Sequence, residues 1–202
     1  MPNADMSGAA YIRRKAATVL SQSKGKKASE SFVIASKGGA CCPPKQNPNP
    51  CVNPPMVNLV SNGSFQTGDF TDWTPVGFTQ YNSIQTGGIN MLNYWKAGNV
   101  RSDAYLTQTI QTVPGHPYIL SYYLKSSDTD GQVIHFDVSL NNVSIPGSEI
   151  FVNSPDPGFD WTLFSFSFTA TTTSTDLTFV TRNDPEYLRL TAISVIDQFR
   201  CP

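Results

Sequence analysis

Residues 117–140 read PYILSYYLKSSDTDGQVIHFDVSL, and their pattern decides the fold class. Tyr118, Leu120, Tyr122 and Leu124 share one parity, while Ile119, Ser121, Tyr123 and Lys125 share the other. A period of two marks a strand, because successive side chains point to opposite faces of a sheet. After the polar break SSDTDG the alternation resumes. Ile134, Phe136, Val138 and Leu140 fall on one side and His135, Asp137 and Ser139 on the other. Two apolar-faced strands cannot bury those faces alone, so more of the same must lie elsewhere in the chain.

It does. Further runs of alternating or β-branched residues span 56–60, 78–84, 89–95, 104–111, 161–169, 175–182 and 188–196, beside 117–125 and 132–140 themselves. Phe164, Phe166, Phe168, Leu177 and Phe179 take the core parity in their strands. Turn residues separate the runs, as in Val113-Pro114-Gly115. No segment after residue 57 carries the period of a long helix. Short strands at this spacing predict an all-β fold, a jelly-roll β-sandwich over residues 58–202.

Upstream the chain changes character. Residues 1–57 hold eight Lys/Arg against two acids, whereas residues 58–202 hold six against thirteen, so a net charge of -1 conceals two unlike parts. Residues 1–36 read as a basic N-terminal arm, poor in large apolar side chains with which to offset the entropy of ordering. Within it AAYIRRKAATVLSQ, residues 9–22, has the spacing of a short amphipathic helix that gathers Arg13, Arg14 and Lys15 to one side. Those three are the expected anchor to an acidic partner surface or to nucleic acid. No stretch reaches the length of apolar residues that spans a bilayer, and no secretory leader follows the basic triplet.

Residues 37–57 form a Pro/Cys-rich linker. KGGACCPPKQNPNPCVNPPM packs six prolines and three cysteines into residues 37–56, which excludes helix and central strand. Cys41, Cys42, Cys51 and Cys201 are the disulfide candidates, with three pairings open. Zinc is disfavoured, since the spacing of paired ligands is absent and neither histidine lies near. A bond to Cys201 would tie the linker to the end of the last strand.

The opening NLVSNGSFQTGDFTDWT, residues 58–74, resembles the start of carbohydrate-binding modules of the family 4/9 type and of related galactose-binding-like jelly rolls. The likeness continues through residues 106–127, 161–179 and 182–195. It implies a jelly roll in which Phe65 and Trp73 plug one end and Asn62-Gly63 makes a tight bend, glycine tolerating positive φ there. It also implies sugar recognition. The family's calcium position uses a Glu after the conserved Phe and an Asp in the last strand; Gln66 and Thr191 stand in those places here, which weakens calcium binding. No cofactor or metal is expected. The triplet Arg13-Arg14-Lys15 is similar to short basic leaders of proteins encoded by giant DNA viruses.

Sugar binding needs an aromatic platform and nearby planar polar groups. Two sets of residues offer them: Tyr123, Lys125, His135 and Asp137, read as two adjacent strands, and Tyr94, Trp95, Arg101 and Asp103 around the 96–103 loop. Catalysis is not expected. Most acids sit in turns, and no nucleophile elbow, zinc-protease run or phosphate loop occurs. Two functions follow. One is a non-enzymatic sandwich anchored by its arm to other proteins of a large assembly such as a virion, as a minor capsid or surface component. The alternative is a carbohydrate-binding module for host or environmental glycans, located outside the cell or on a particle surface. Nucleic acid is not an expected partner of the β domain.

Overall fold

The computed structural model describes residues 51–126, 133–152 and 158–201. The arm with Arg13, Arg14 and Lys15, and the cysteines Cys41 and Cys42, lie outside the described residues.

Eleven strands follow in order: β1 (Thr74–Val76), β2 (Ser83–Gln85), β3 (Tyr94–Ala97), β4 (Ala104–Gln111), β5 (Pro117–Ser126), β6 (Val133–Leu140), β7 (Val143–Ser144), β8 (Ile150–Val152), β9 (Phe159–Thr169), β10 (Ser174–Asp184) and β11 (Leu188–Asp197). They form two antiparallel sheets. The six-stranded sheet runs β1-β4-β10-β6-β7, with β8 also paired to β6; the five-stranded sheet runs β2-β3-β11-β5-β9. The protein is an all-β sandwich, as the alternation predicts.

The inner faces meet in one aromatic core. Tyr118, Leu120, Tyr122 and Leu124 of β5 are buried against Ile134, Phe136 and Val138 of β6 and Leu177 and Phe179 of β10. Tyr122 stacks on Phe164 at 5.5 Å and meets Phe179 edge-on at 5.4 Å. Each such ring pair adds about 0.5–1.5 kcal/mol beyond the area it buries. Phe65 and Trp73 close one end, ring centroids 6.1 Å apart.

Three expected strands come out differently. Residues 56–60 make only one bridge, Asn58 to Ile196. The Asn58 side chain stands in for a ladder there: its Oδ1 accepts from the Val60 and Val195 N–H groups, and its Nδ2 donates to the Ile193 carbonyl. Of residues 78–84 only the end is strand, because Asn82 N–H closes a turn onto the Thr79 carbonyl. In 89–95, Asn90 and Met91 adopt positive φ in a 3₁₀ turn, Ile89–Met91, and the strand starts at Tyr94. The missed strands β1, β7 and β8 have two or three residues each, too few for a period to show.

The reason for Gly63 also changes. Positive φ belongs to its neighbour Asn62, at 49°. A Cβ on Gly63 would stand 2.1 Å from the Ile193 carbonyl oxygen, so the residue is glycine to let two backbones touch.

Of the three pairings, the structure shows one bond, Cys51–Cys201, with the Cα atoms 5.7 Å apart and the two residues 150 positions apart in sequence. Asn53 Oδ1 accepts the Cys201 N–H at 2.7 Å, so side chain and disulfide fasten the same corner.

Candidate functional site

Neither of the two residue sets survives as a set. β5 and β6 follow one another in the chain but belong to opposite sheets, so Tyr123 and Lys125 face away from His135 and Asp137. On the six-stranded sheet, His135 Nδ1 lies 3.0 Å from Asp103 Oδ1 and its ring meets Phe151 edge-on at 5.8 Å. Asp137 accepts hydrogen bonds from the hydroxyls of Ser144 at 2.9 Å and Ser148 at 2.6 Å, and is occupied by them. The second set divides again. Tyr94 and Trp95 are consecutive in β3 and point to opposite faces, and Trp95 is fully buried, stacked on Phe78 at 5.1 Å with its Nε1 donating to Asn82 Oδ1 at 3.0 Å. It is core, not platform. Arg101 is exposed at positive φ, where its backbone N–H donates to Asp184 Oδ1.

What the fold brings together instead is the outer face of the five-stranded sheet. Register sets Lys96 opposite Arg189 and Arg189 opposite Lys125, so three cations from β3, β11 and β5 lie in one row. The next row carries Tyr94 and Tyr123 with Thr191 between them, and Leu163 beyond Tyr123. Between Leu124 and Ser126 the β5–β9 ladder slips, so that both Asp160 and Trp161 stand opposite Lys125. A bulge of this kind re-aims side chains, and here it puts an acid and an indole on the outer face.

The rings of Tyr94 and Trp161 then meet. Their strands are separated in the sheet by β11 and β5, about 14 Å at roughly 4.8 Å per strand. Their centroids are nevertheless 5.7 Å apart, in edge-to-face contact. The two side chains therefore lean toward each other above the middle strands. Gly88 lies at their junction: a Cβ there would come 3.0 Å from Tyr94 and 3.4 Å from Trp161, so the 86–93 loop approaches the pair only as glycine. Arg189 sits under Tyr94, its guanidinium carbon 5.8 Å from the ring centroid, and its Nε is buried with no hydrogen-bond partner among the described residues. Lys96 places its ammonium 3.6 Å from the centre of the Tyr187 ring. Tyr187 in turn packs on Gly98, where a Cβ would meet it at 2.6 Å. Asp160 accepts from Lys125 Nζ at 2.7 Å; that bond, with the Trp161 N–H and the lysine's charge, holds its carboxyl below the usual range.

Trp161, Arg189, Lys96, Tyr187 and Gly88 are the residues that sequence reasoning missed. A signal for Trp161 was present, since it shares parity with Leu163, Ser165 and Ser167, opposite to the core-facing phenylalanines.

The calcium position has a different chemistry from the one the resemblance implies. Gln66 is exposed, the Thr191 hydroxyl donates to the Asn93 carbonyl, and Asn93 Nδ2 donates to the Phe65 carbonyl at 2.8 Å. Two carbonyls suited to a hard cation are thus bonded to protein donors, and no carboxylate joins them. The residues at these two positions lack the carboxylates that a hard cation favours. Among the described residues no three His, Cys, Asp or Glu side chains gather to hold a metal, and no helix is long and apolar enough to cross a membrane.

Comparison with solved structures returns the same architecture. The carbohydrate-binding module TmCBM61, in complex with β-1,4-galactotriose, aligns at a TM-score of 0.50 and 13% identity, over 70% of this chain and 99% of that one. Arabinose-bound MgGH51 α-L-arabinofuranosidase aligns at 0.51 and 11% identity, over 72% of this chain and only 27% of the enzyme. At such identities the likeness is one of fold. No curated protein matches the chain. The comparisons support the carbohydrate-binding alternative, and nothing in them or in the described residues supports a virion or minor capsid role. Sequence itself is more specific than fold here: the profile of the CBM_4_9 carbohydrate binding domain matches residues 57–185, so the chain belongs to that family.

Proposed function

We propose that the outer face of the five-stranded sheet binds glycan chains, and that the domain does so without cleaving them. The observation that carries this reading is the Tyr94–Trp161 pair held over β11 and β5, with the donors of Arg189, Lys96 and Lys125 directly beside it. Aromatic faces cover the apolar face of a sugar ring, and fixed charged donors meet its oxygens. Family membership supports the ligand class and agrees with a place outside the cell or on its surface.

The same face supports a binding role over a catalytic one. Hydrolysing a glycosidic bond takes two carboxyl groups facing one another across the substrate, about 5–9.5 Å apart. The strands present one acid on this face, Asp160, already bonded to Lys125. Calcium is not part of the proposal, because Gln66 and Thr191 stand where the family has carboxylates.

A glycan array, followed by titration calorimetry on the best ligand, tests the reading. Trp161→Ala is expected to weaken binding by about tenfold or more, equivalent to roughly 1.4 kcal/mol, with the melting temperature little changed. Chelating agents should leave affinity as it was. Undiminished binding by the Trp161 variant would move the site elsewhere on the molecule.

A further inference from the structure

The glycan-binding reading leaves one feature of that face unexplained, namely its charge. After residue 57 acids outnumber bases thirteen to six, yet three of those six bases, Lys96, Arg189 and Lys125, stand side by side on neighbouring strands. Like charges directly opposite in a ladder repel and destabilise a sheet, so neutral sugars alone give no reason for the row. Its one carboxylate within hydrogen-bond distance, among the described residues, is Asp160, on Lys125; the acid's side chain is 83% exposed, which leaves the pairing weak. Lys96 and Arg189 rest against tyrosine faces instead. A ring face steadies a cation without taking its N–H donors. The buried Arg189 Nε has no acceptor among the described residues. Arg182, on the other sheet, shows the contrast: Nε and Nη2 both donate to Asp184 Oδ2, at 3.0 and 2.6 Å.

We propose that this face selects anionic glycans, with Arg189 and Lys96 receiving a carboxylate or sulfate ester carried by the sugar while Tyr94 and Trp161 cover its ring. This rests on the glycan-binding reading above and adds the ligand's charge to it. A guanidinium fork matches the paired oxygens of either group, and the flanking lysines add point charge.

Matched polymers separate charge from backbone. The full chain is titrated with polygalacturonate and its fully methyl-esterified form, and with κ-carrageenan and its desulfated form. The expected result is binding at least tenfold tighter to the charged member of one pair or both, weakening as salt rises from 0.05 to 0.5 M. The pair that discriminates says whether carboxylate or sulfate ester is recognised. Arg189→Gln and Lys96→Gln should each lose about tenfold on the charged polymer and narrow the difference between the two members of the pair. Lys96→Gln serves if the arginine variant melts early, since the lysine sits at the edge of the row.

Four results would overturn the proposal. Equal or tighter binding of the neutral member in both pairs would show that the cations do not select charge. Polyglutamate binding as tightly as the charged glycans, with the same response to Lys96→Gln, would show a polyanion surface rather than a sugar site. Binding of neither polymer in either pair by folded protein, alongside a positive array for an uncharged glycan, would remove the anionic selectivity and leave the glycan reading standing. An array without any hit would remove both.

Discussion

Replacing both Cys51 and Cys201 by serine removes the bond that closes a ring between residues 150 positions apart. The serine side chains are small enough to sit in the same corner, and the hydrogen bond from the Cys201 backbone N–H to Asn53 Oδ1 needs no sulfur. The Asn58 bonds to Val60, Val195 and Ile193 also persist. The change therefore acts mainly on the unfolded chain, whose ends become free to separate. In the chain-entropy treatment a loop of this length contributes about 17 cal/mol/K, or about 5 kcal/mol at 25 °C. For a domain of this size roughly 2–4 °C accompanies each kcal/mol, so the double variant is expected to melt about 10–20 °C lower. Thermal melts by circular dichroism on the oxidised full chain measure this, and a thiol reductant should lower the parent by the same amount while leaving the variant unmoved. A drop below about 3 °C would refute the reasoning. It would mean that the unfolded chain keeps its ends together without the bond.

Three further outcomes follow from the geometry. Gly63→Ala drives a methyl group into the Ile193 carbonyl oxygen at 2.1 Å, backbone against backbone, and should cost about 3 kcal/mol or more, read as a fall in denaturant midpoint; a loss under 1 kcal/mol would contradict the close approach. Tyr122→Phe removes a fully buried hydroxyl that has no partner among the described residues and whose pKa burial pushes well up, with the Asp137 charge adding to it. Stability should hold or rise by about 1 kcal/mol, and a melting temperature lower by more than about 4 °C would show that the hydroxyl is bonded in solution. Burial pushes the Asp197 carboxyl up, but hydrogen bonds from His116 and the Phe199 N–H, with the histidine's charge, outweigh it and leave it lowered. A folded-state value below the unfolded one gives stability that is present above about pH 4 and lost as pH falls through the folded value. Asp197→Asn should be less stable at pH 7 and should show a shallower acid loss, the remainder belonging in part to Asp69, which the Thr67 and Thr71 hydroxyls and the Thr71 N–H hold at about 2. An unchanged acid slope in Asp197→Asn would exclude the pair with His116.

The long strands were legible because parity is local. Tyr118 to Leu124, Ile134 to Val138 and Leu177 to Phe179 announce their buried face without knowledge of any partner. Which sheet a strand joins is not local. β5 and β6 are joined by a short connection yet part to opposite layers, and that single fact dissolves the grouping of Tyr123 and Lys125 with His135 and Asp137. The candidate site fails to show in sequence for the same reason. Lys96, Lys125, Trp161 and Arg189 are spread along the chain, and only register assembles them. Tyr94 was reached, but its neighbour Trp95 could not also face outward in a strand, a conflict that parity alone already contains. At residues 56–60 the apolar pattern is real, but the Asn58 side chain captures the donors and acceptors that a ladder would use.

The closeness of Cys51 and Cys201 has a mechanical meaning as well. With their Cα atoms 5.7 Å apart, the chain arrives and departs at one point of the sandwich. Tension applied between residue 50 and residue 202 would run through the sulfur bridge, and the residues between the two cysteines would hang from it unloaded. With the bridge reduced, the same pull would fall first on the Asn53–Cys201 hydrogen bond and then on the few bonds joining Asn58 and Leu59 to β11, which would peel one at a time. In its oxidised form the face carrying Tyr94 and Trp161 would keep its shape while the molecule is dragged, which suits the glycan-binding role proposed for it.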